Sequence, residues 1–229
     1  MIKTDSLQLT HQSLEFFSNK TKDRILISSL VLFNERGFNN VTTASIAKRT
    51  GVLEGSLWYH FNTKKDILSN HIQLLEKVFI SVNHQIKSKK FETIINEFFK
   101  SYNIIWDFRY ILRDNFQESF EDDESIWKSI KEINNSLDKW AENRILHSYE
   151  SGLIKINSKE IENLSEIILV IGRYWLDFSM KKYPGVNISS LRLKGLKHIV
   201  TVLSPYLNPQ GIPTIENMFK IIDYRNSIN

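Results

Sequence analysis

Cysteine is absent from the 229 residues. That removes any disulfide framework and any thiolate zinc site, and it suits a reducing compartment. Proline is rare at four residues and glycine at eight, so long stretches are left open to helix. Alternating apolar–polar runs bounded by turns are scarce, and strands are not expected. No apolar run is long enough to span a bilayer. The N-terminal stretch MIKTDSLQLTHQSLEFF lacks the charged start, apolar run and small-residue cleavage site of a signal peptide. The expectation is a cytoplasmic chain with no membrane association. HExxH, GxSxG, GxGxxG and P-loop patterns are missing, and the six histidines are scattered without metal-ligand spacing. No catalytic residue, metal site or cofactor is expected. A helical enzyme would need turnover without a recognisable catalytic set.

What is present is ordinary for a globular protein: 41% hydrophobic and 24% charged residues. The length suits one or two domains with a substantial core. The formal net charge is +4, and its placement says more than its size. Residues 20–84 hold nine Lys/Arg against five Asp/Glu, whereas residues 85–229 hold twenty against nineteen. The basic excess gathers near the amino end, as a nucleic-acid contact needs.

The most informative stretch is Thr42–Leu68, TTASIAKRTGVLEGSLWYHFNTKKDIL. Thr42 and Thr43 are N-cap types ahead of a short helix. Gly51 stands where a helix ends at positive φ. Val52 is placed to plug the core between two helices. Leu57 and Phe61 lie four apart and face inward together on a second short helix. Ser56, Tyr59, His60 and the head of Trp58 are left for its outer face. Thr63 is expected to cap a further helix with Lys64 in its first turn. The helix dipole disfavours a cation there, and a nearby anion such as DNA phosphate would resolve the conflict. Two small helices joined by a glycine-containing turn make a helix-turn-helix, whose second helix can enter the major groove.

With Ile25-Leu26, Leu32-Phe33, Gly37, Thr42-Thr43, Ile46-Ala47, Gly51-Val52, Gly55-Ser56-Leu57-Trp58-Tyr59-His60-Phe61 and Lys64-Lys65-Asp66-Ile67-Leu68 in order, this region resembles the TetR/AcrR family of bacterial regulators. The resemblance covers roughly fifty residues and is not readable past about residue 80. It implies an all-α protein with an N-terminal three-helix DNA-binding domain and a C-terminal helical domain for ligand binding and dimerisation. It also implies repression of transcription at a palindromic double-stranded operator, relieved by a small-molecule effector. Carried over residue by residue, it implies phosphate contacts from Thr43, Ser56, Tyr59, His60 and Lys64, with Lys48 a further candidate. Glu54, Gly55 and Trp58 fall where base edges or sugars are met. Three residues depart from the family pattern. Leu53 replaces a small capping residue. Glu54 brings a carboxylate that accepts from cytosine N4 but repels phosphate. Trp58 keeps a ring and loses a hydroxyl. Leu53 and Glu54 are the arguments for a rival reading, a helical small-molecule sensor or interaction protein with weak or lost DNA binding.

Helical periodicity together with the resemblance implies an extension (1–20), a DNA-binding domain (21–68, continuing through a linking helix to about 84) and a second helical domain (85–229). Leu14, Phe16 and Phe17 of the extension are read as packing rather than meeting DNA. Helices are expected at about 21–36, from 64 into the 80s, and at 91–107, 108–119, 124–151, 158–183 and 189–208, with a short one at the end. Ser158 and Ser189 or Ser190 are read as caps, and Glu121-Asp122-Asp123-Glu124 as a loop. Aromatics are dense in the second domain, where such a stripe is more often core than pocket. Beside polar groups, Trp106, Arg109, Tyr110, Phe116 and Trp127 are nonetheless candidates to line an effector pocket. Asn115 is another polar candidate. So are Trp140, Arg144, Arg173, Tyr174 and Trp175, with a salt bridge from Arg173 to Asp177 as the plain alternative. The helices at 158–183 and 189–208 carry more apolar residues than one core face needs, which suggests partner helices, and the resemblance implies a homodimer through them.

Overall fold

Long uninterrupted helical patterns yield an all-α protein. The computed structural model describes residues 9–83, 88–113, 116, 120 and 123–228. Glu121, Asp122, Asn115 and residues 1–8 of the extension lie outside them. The helices are α1 (His11–Leu14), α2 (Thr21–Arg36), α3 (Thr43–Thr50), α4 (Glu54–His60) and α5 (Lys64–Asn83). They are followed by α6 (Phe91–Asp107), α7 (Glu124–Glu150), α8 (Ile161–Lys182), α9 (Ile188–Leu203) and α10 (Ile212–Ile228). Among the described residues, extended pairing is limited to one isolated bridge, Ile154 with Leu207. No described helix is long and apolar enough to cross a membrane.

Two compact units divide the chain: residues 1–78 with 103–134, and residues 79–102 with 135–229. Residues 103–134 fall with the first of these units. The reason is an aromatic cluster. Tyr110 lies 5.2 Å from Phe33 of α2, and Phe116 and Phe120 lie 5.7 and 5.4 Å from Phe38.

In the first unit, α2 is buried through ten consecutive residues, Ile25 to Asn34. A helix wrapped on all sides must satisfy its polar groups internally. Asn34 does so twice: its Nδ2 donates to the Asp107 carbonyl at 2.6 Å, and its Oδ1 accepts from the Tyr110 amide at 3.1 Å. Asp107 Oδ2 accepts from the Thr10 amide at 2.8 Å and also from its hydroxyl, so the extension is packed onto this unit from Leu9 onward. His71 of α5 is fully buried. Its Nδ1 lies 2.8 Å from Tyr110 Oη, and its Nε2 lies 2.9 Å from the Leu26 carbonyl and 3.3 Å from Ser29 Oγ. Burial pushes its pKa down to about 4, so the ring is neutral at pH 7. Its Nε2 then donates to Leu26 and its Nδ1 accepts from Tyr110. Residues 108–112 form consecutive turns rather than the expected helix, because Tyr110 N–H is drawn to Asn34.

In the second unit, α8 and α9 pack around Gly195. A Cβ there would meet Trp175 Cδ1 at 2.4 Å and Tyr102 Oη at 2.7 Å. The missing side chain lets Trp175 Nε1 donate to the Leu191 carbonyl at 2.7 Å and Tyr102 Oη to the Arg192 carbonyl at 2.9 Å. Asn157 and Asn187, not the serines beside them, cap the segments leading into α8 and α9. The terminal helix α10 is longer than expected at 17 residues. Pro213 falls in its first turn, where the missing N–H costs nothing.

Candidate nucleic-acid interface

Helix α3 begins at an N-cap, Thr42, whose hydroxyl accepts from the Ser45 amide at 3.2 Å. It stops at Gly51, left-handed at φ 74°, ψ 37°, a conformation that costs other residues more. The turn redirects the chain into α4. That helix is short at seven residues, and isolated helices of that length are unstable. Tertiary burial holds it: Leu57 on the helix and Phe61, expected on the helix but found just past its end in extended backbone, are almost wholly inaccessible, while Val52 is only half-buried. Thr63 and Asp66 form a reciprocal capping box at the start of α5. The Thr63 amide donates to Asp66 Oδ2 at 3.0 Å, and the Asp66 amide to Thr63 Oγ1 at 3.1 Å.

The opposite face of α4 is open. Tyr59 is 85% exposed and Trp58 42%. Gly55 is exposed, Ser56 half-buried, and His60 half-buried with its ring 5.2 Å from Tyr59. Lys48 of α3 is exposed. Nothing lies within 4 Å of the position a Gly55 Cβ would take. The fold therefore has no steric need for glycine there, although glycine in a helix forgoes about 1 kcal/mol relative to alanine. Leu53, at the N-cap of α4, is 83% exposed and makes no cap hydrogen bond.

Two sequence expectations change in detail. Thr43 Oγ1 donates to Glu54 Oε1 at 2.7 Å, tying the starts of α3 and α4 together. A hydroxyl has one proton, so a phosphate contact from Thr43 requires that bond to be exchanged. It also steadies the Glu54 carboxylate. Lys64 needs no external anion to offset the helix dipole. Its Nζ donates to the carbonyls of Phe38 at 2.8 Å and Val41 at 3.0 Å, and sits 4.3 Å from the Phe38 ring centroid. Partial burial lowers its pKa. Two of its three donors are used and one remains. Other cations of the region also brace the fold: Arg24 donates to the Thr50 carbonyl at 2.6 Å, Arg49 lies 3.5 Å from Glu35, and Lys65 lies 2.6 Å from Asp123.

The ten pocket candidates divide between the units. Trp106, Arg109, Tyr110, Phe116 and Trp127 fall in the first. Arg109 folds back on Trp106, donating to its carbonyl at 2.9 Å. Tyr110 and Phe116 belong to the aromatic cluster around Phe33 and Phe38, and they wall a cleft of about 130 Å³ that Arg113, Asn39 and Asn40 complete. Sequence reasoning missed those three, because their convergence depends on the turns at 108–112. Trp140, Arg144, Arg173, Tyr174 and Trp175 fall in the second unit. Trp140 and Arg144 are buried, with the guanidinium 5.7 Å from the indole centroid, and burial lowers the Arg144 pKa to about 10. Arg173 pairs with Asp138 at 2.9 Å rather than with Asp177. Tyr174 points outward, and Trp175 is taken up by its contact with α9.

Comparison with known proteins agrees with this geometry. Residues 25–70 match the model of the bacterial regulatory proteins of the tetR family, and residues 72–214 match the TetR model described as a bacterial transcriptional repressor. The chain is 26% identical over 180 residues to IcaR, the negative transcriptional regulator of the biofilm operon icaADBC of Staphylococcus aureus strain Newman, covering 76% of this chain and 92% of that one. A crystal structure of a TetR-family transcriptional regulator from Marinobacter aquaeolei VT8 superposes with a TM-score of 0.68 at 24% identity, covering 89% of this chain and 98% of that one. The ketosteroid transcriptional regulator KstR2 of Mycobacterium tuberculosis gives 0.53 at 16%, covering 83% and 97%. The last two establish the fold.

Proposed function

This chain belongs to the TetR family of bacterial regulatory proteins, and from that premise we propose that it represses transcription by binding a palindromic operator as a homodimer and is released by a small-molecule effector. The observation that carries the proposal is α4: it is locked inward by Leu57 and, just past its end, by Phe61, while Gly55, Trp58 and Tyr59 stand clear of the fold. A helix so presented suits a major groove. Ser56, Tyr59, His60, Lys48 and Lys64 are assigned to phosphates, and Glu54, Gly55 and Trp58 to base edges or sugars. Thr43 joins the phosphate set by exchanging its bond to Glu54. Phosphate contacts set affinity and register, and base contacts set sequence preference.

Dimerisation is assigned to α8 and α9. Ile167, Val170, Tyr174 and Phe178 recur at helical spacing on α8 and are each about half exposed. Such a stripe leaves apolar area that a second copy would bury. A two-fold axis would set two recognition helices about 34 Å apart, one turn of duplex. Effector sensing is assigned to residues 85–229 and DNA binding to 21–68, with α5 the link because it contributes residues to both units. The effector would favour a conformation whose α4 helices are wrongly spaced, by a few kcal/mol. Selecting random duplexes with the purified protein tests the reading. An enriched palindrome is the expected outcome; no enrichment at low salt would favour a sensor that has lost DNA binding.

A further inference from the structure

Leu53 is the residue of the α3–α4 turn that folding explains least. It is 83% exposed, its backbone is extended at φ −69°, ψ 147°, and its side chain caps nothing. Leucine is among the poorest N-caps, since it offers no acceptor to the first-turn amides. The fold thus gains neither burial nor a hydrogen bond from it. Beside it stand Glu54, which accepts from Thr43 Oγ1 at 2.7 Å, and Gly55, with open space where a Cβ would stand. The start of α4 presents an apolar tip next to a carboxylate and a bare stretch of backbone.

In helix-turn-helix docking, the N-terminal residues of the recognition helix are the ones that meet base edges. The C5 methyl of thymine is the apolar group on the major-groove edge. We propose that Leu53 is a specificity-determining residue that packs on the methyl group of one thymine in each operator half-site. The proposal rests on the reading of α4 as the recognition helix and adds the identity of a base. A purine at that step would have its N7 acceptor desolvated by leucine with no donor in exchange. Cytosine would offer no methyl to cover.

The test removes that methyl from the DNA without touching the protein. The operator is first defined by selection with the full-length protein, and each thymine of one half-site is then replaced singly by deoxyuridine. One replacement should weaken wild-type binding about fourfold, the worth of one buried methyl group. Leu53→Ala should bind thymine and deoxyuridine alike at that position and leave the other positions unchanged. Leu53→Ser should lose the same discrimination without a lower melting temperature, because serine supplies the missing cap. Sensitivity to deoxyuridine that persists unchanged in both variants, or that is absent everywhere in wild type, would overturn the assignment while DNA binding stands. Failure to enrich any duplex would bring it down together with the reading of α4.

Discussion

Replacing Lys64 with methionine separates two jobs that one ammonium group can perform. The stem and its packing are kept, and the charge is removed. Within the protein, the group makes two charge-assisted hydrogen bonds, to Phe38 and Val41, and a cation–π contact with Phe38. Hydrogen bonds to charged groups are worth about 1.5–3 kcal/mol each when sheltered. The site is only partly sheltered, so about 2 kcal/mol is expected for the set, including about 0.5 kcal/mol for the ring contact. Urea denaturation should show that loss. The third donor is assigned to a phosphate. Each phosphate contact contributes about 0.9 to the slope of log affinity against log salt. Fluorescence anisotropy of labelled operator between about 50 and about 200 mM KCl should therefore show the slope flattened by about one unit. Lys64→Arg keeps the charge and should keep the slope. If Lys64→Met weakens binding by the same factor at every salt concentration, Lys64 is a brace and not a contact. If stability is unchanged, the two carbonyl bonds contribute nothing, and the account of why a lysine is tolerated at this helix start is wrong.

Gly55→Ala should raise folding stability by about 0.5–1 kcal/mol and lower operator affinity at least tenfold by blocking close approach; a stabilised variant that still binds at full strength would show that the surface stays clear of DNA. His71, with a folded pKa of about 4 against an ordinary 6.5, binds fewer protons folded than unfolded between those values. Stability should be complete above pH 6.5 and fall by up to about 3 kcal/mol as pH drops toward 4, and a His71→Asn variant whose denaturation midpoint kept the same pH dependence would rule out this origin. Val170→Glu places a charge in the exposed stripe of α8 without entering the core. It should shift sedimentation from dimer to monomer, whereas an unaltered dimer would move the interface elsewhere.

Local chemistry written in short stretches was legible directly from the chain. Thr42, Gly51 and Thr63 announced their caps and turn because a hydroxyl acceptor or a positive φ is needed at those points whatever surrounds them. The four-residue spacing of Leu57 and Phe61 marked the buried side, and so left Ser56, Tyr59, His60 and the head of Trp58 for the outer face, where Trp58 and Tyr59 are exposed and Ser56 and His60 half-buried. Long-range pairing was not legible, since it depends on where distant side chains meet. Only the fold could seat Lys64 on two carbonyls of the α2–α3 loop, turn Arg173 to Asp138, and bring residues 103–134 into the amino-terminal unit through Asn34 and the Phe33–Tyr110 cluster. A periodic aromatic looks the same whether it fills a core or walls a cleft. Tyr110, Trp175 and Tyr174 acquired separate roles as core, helix-packing and outward-facing rings only when their neighbours were in place.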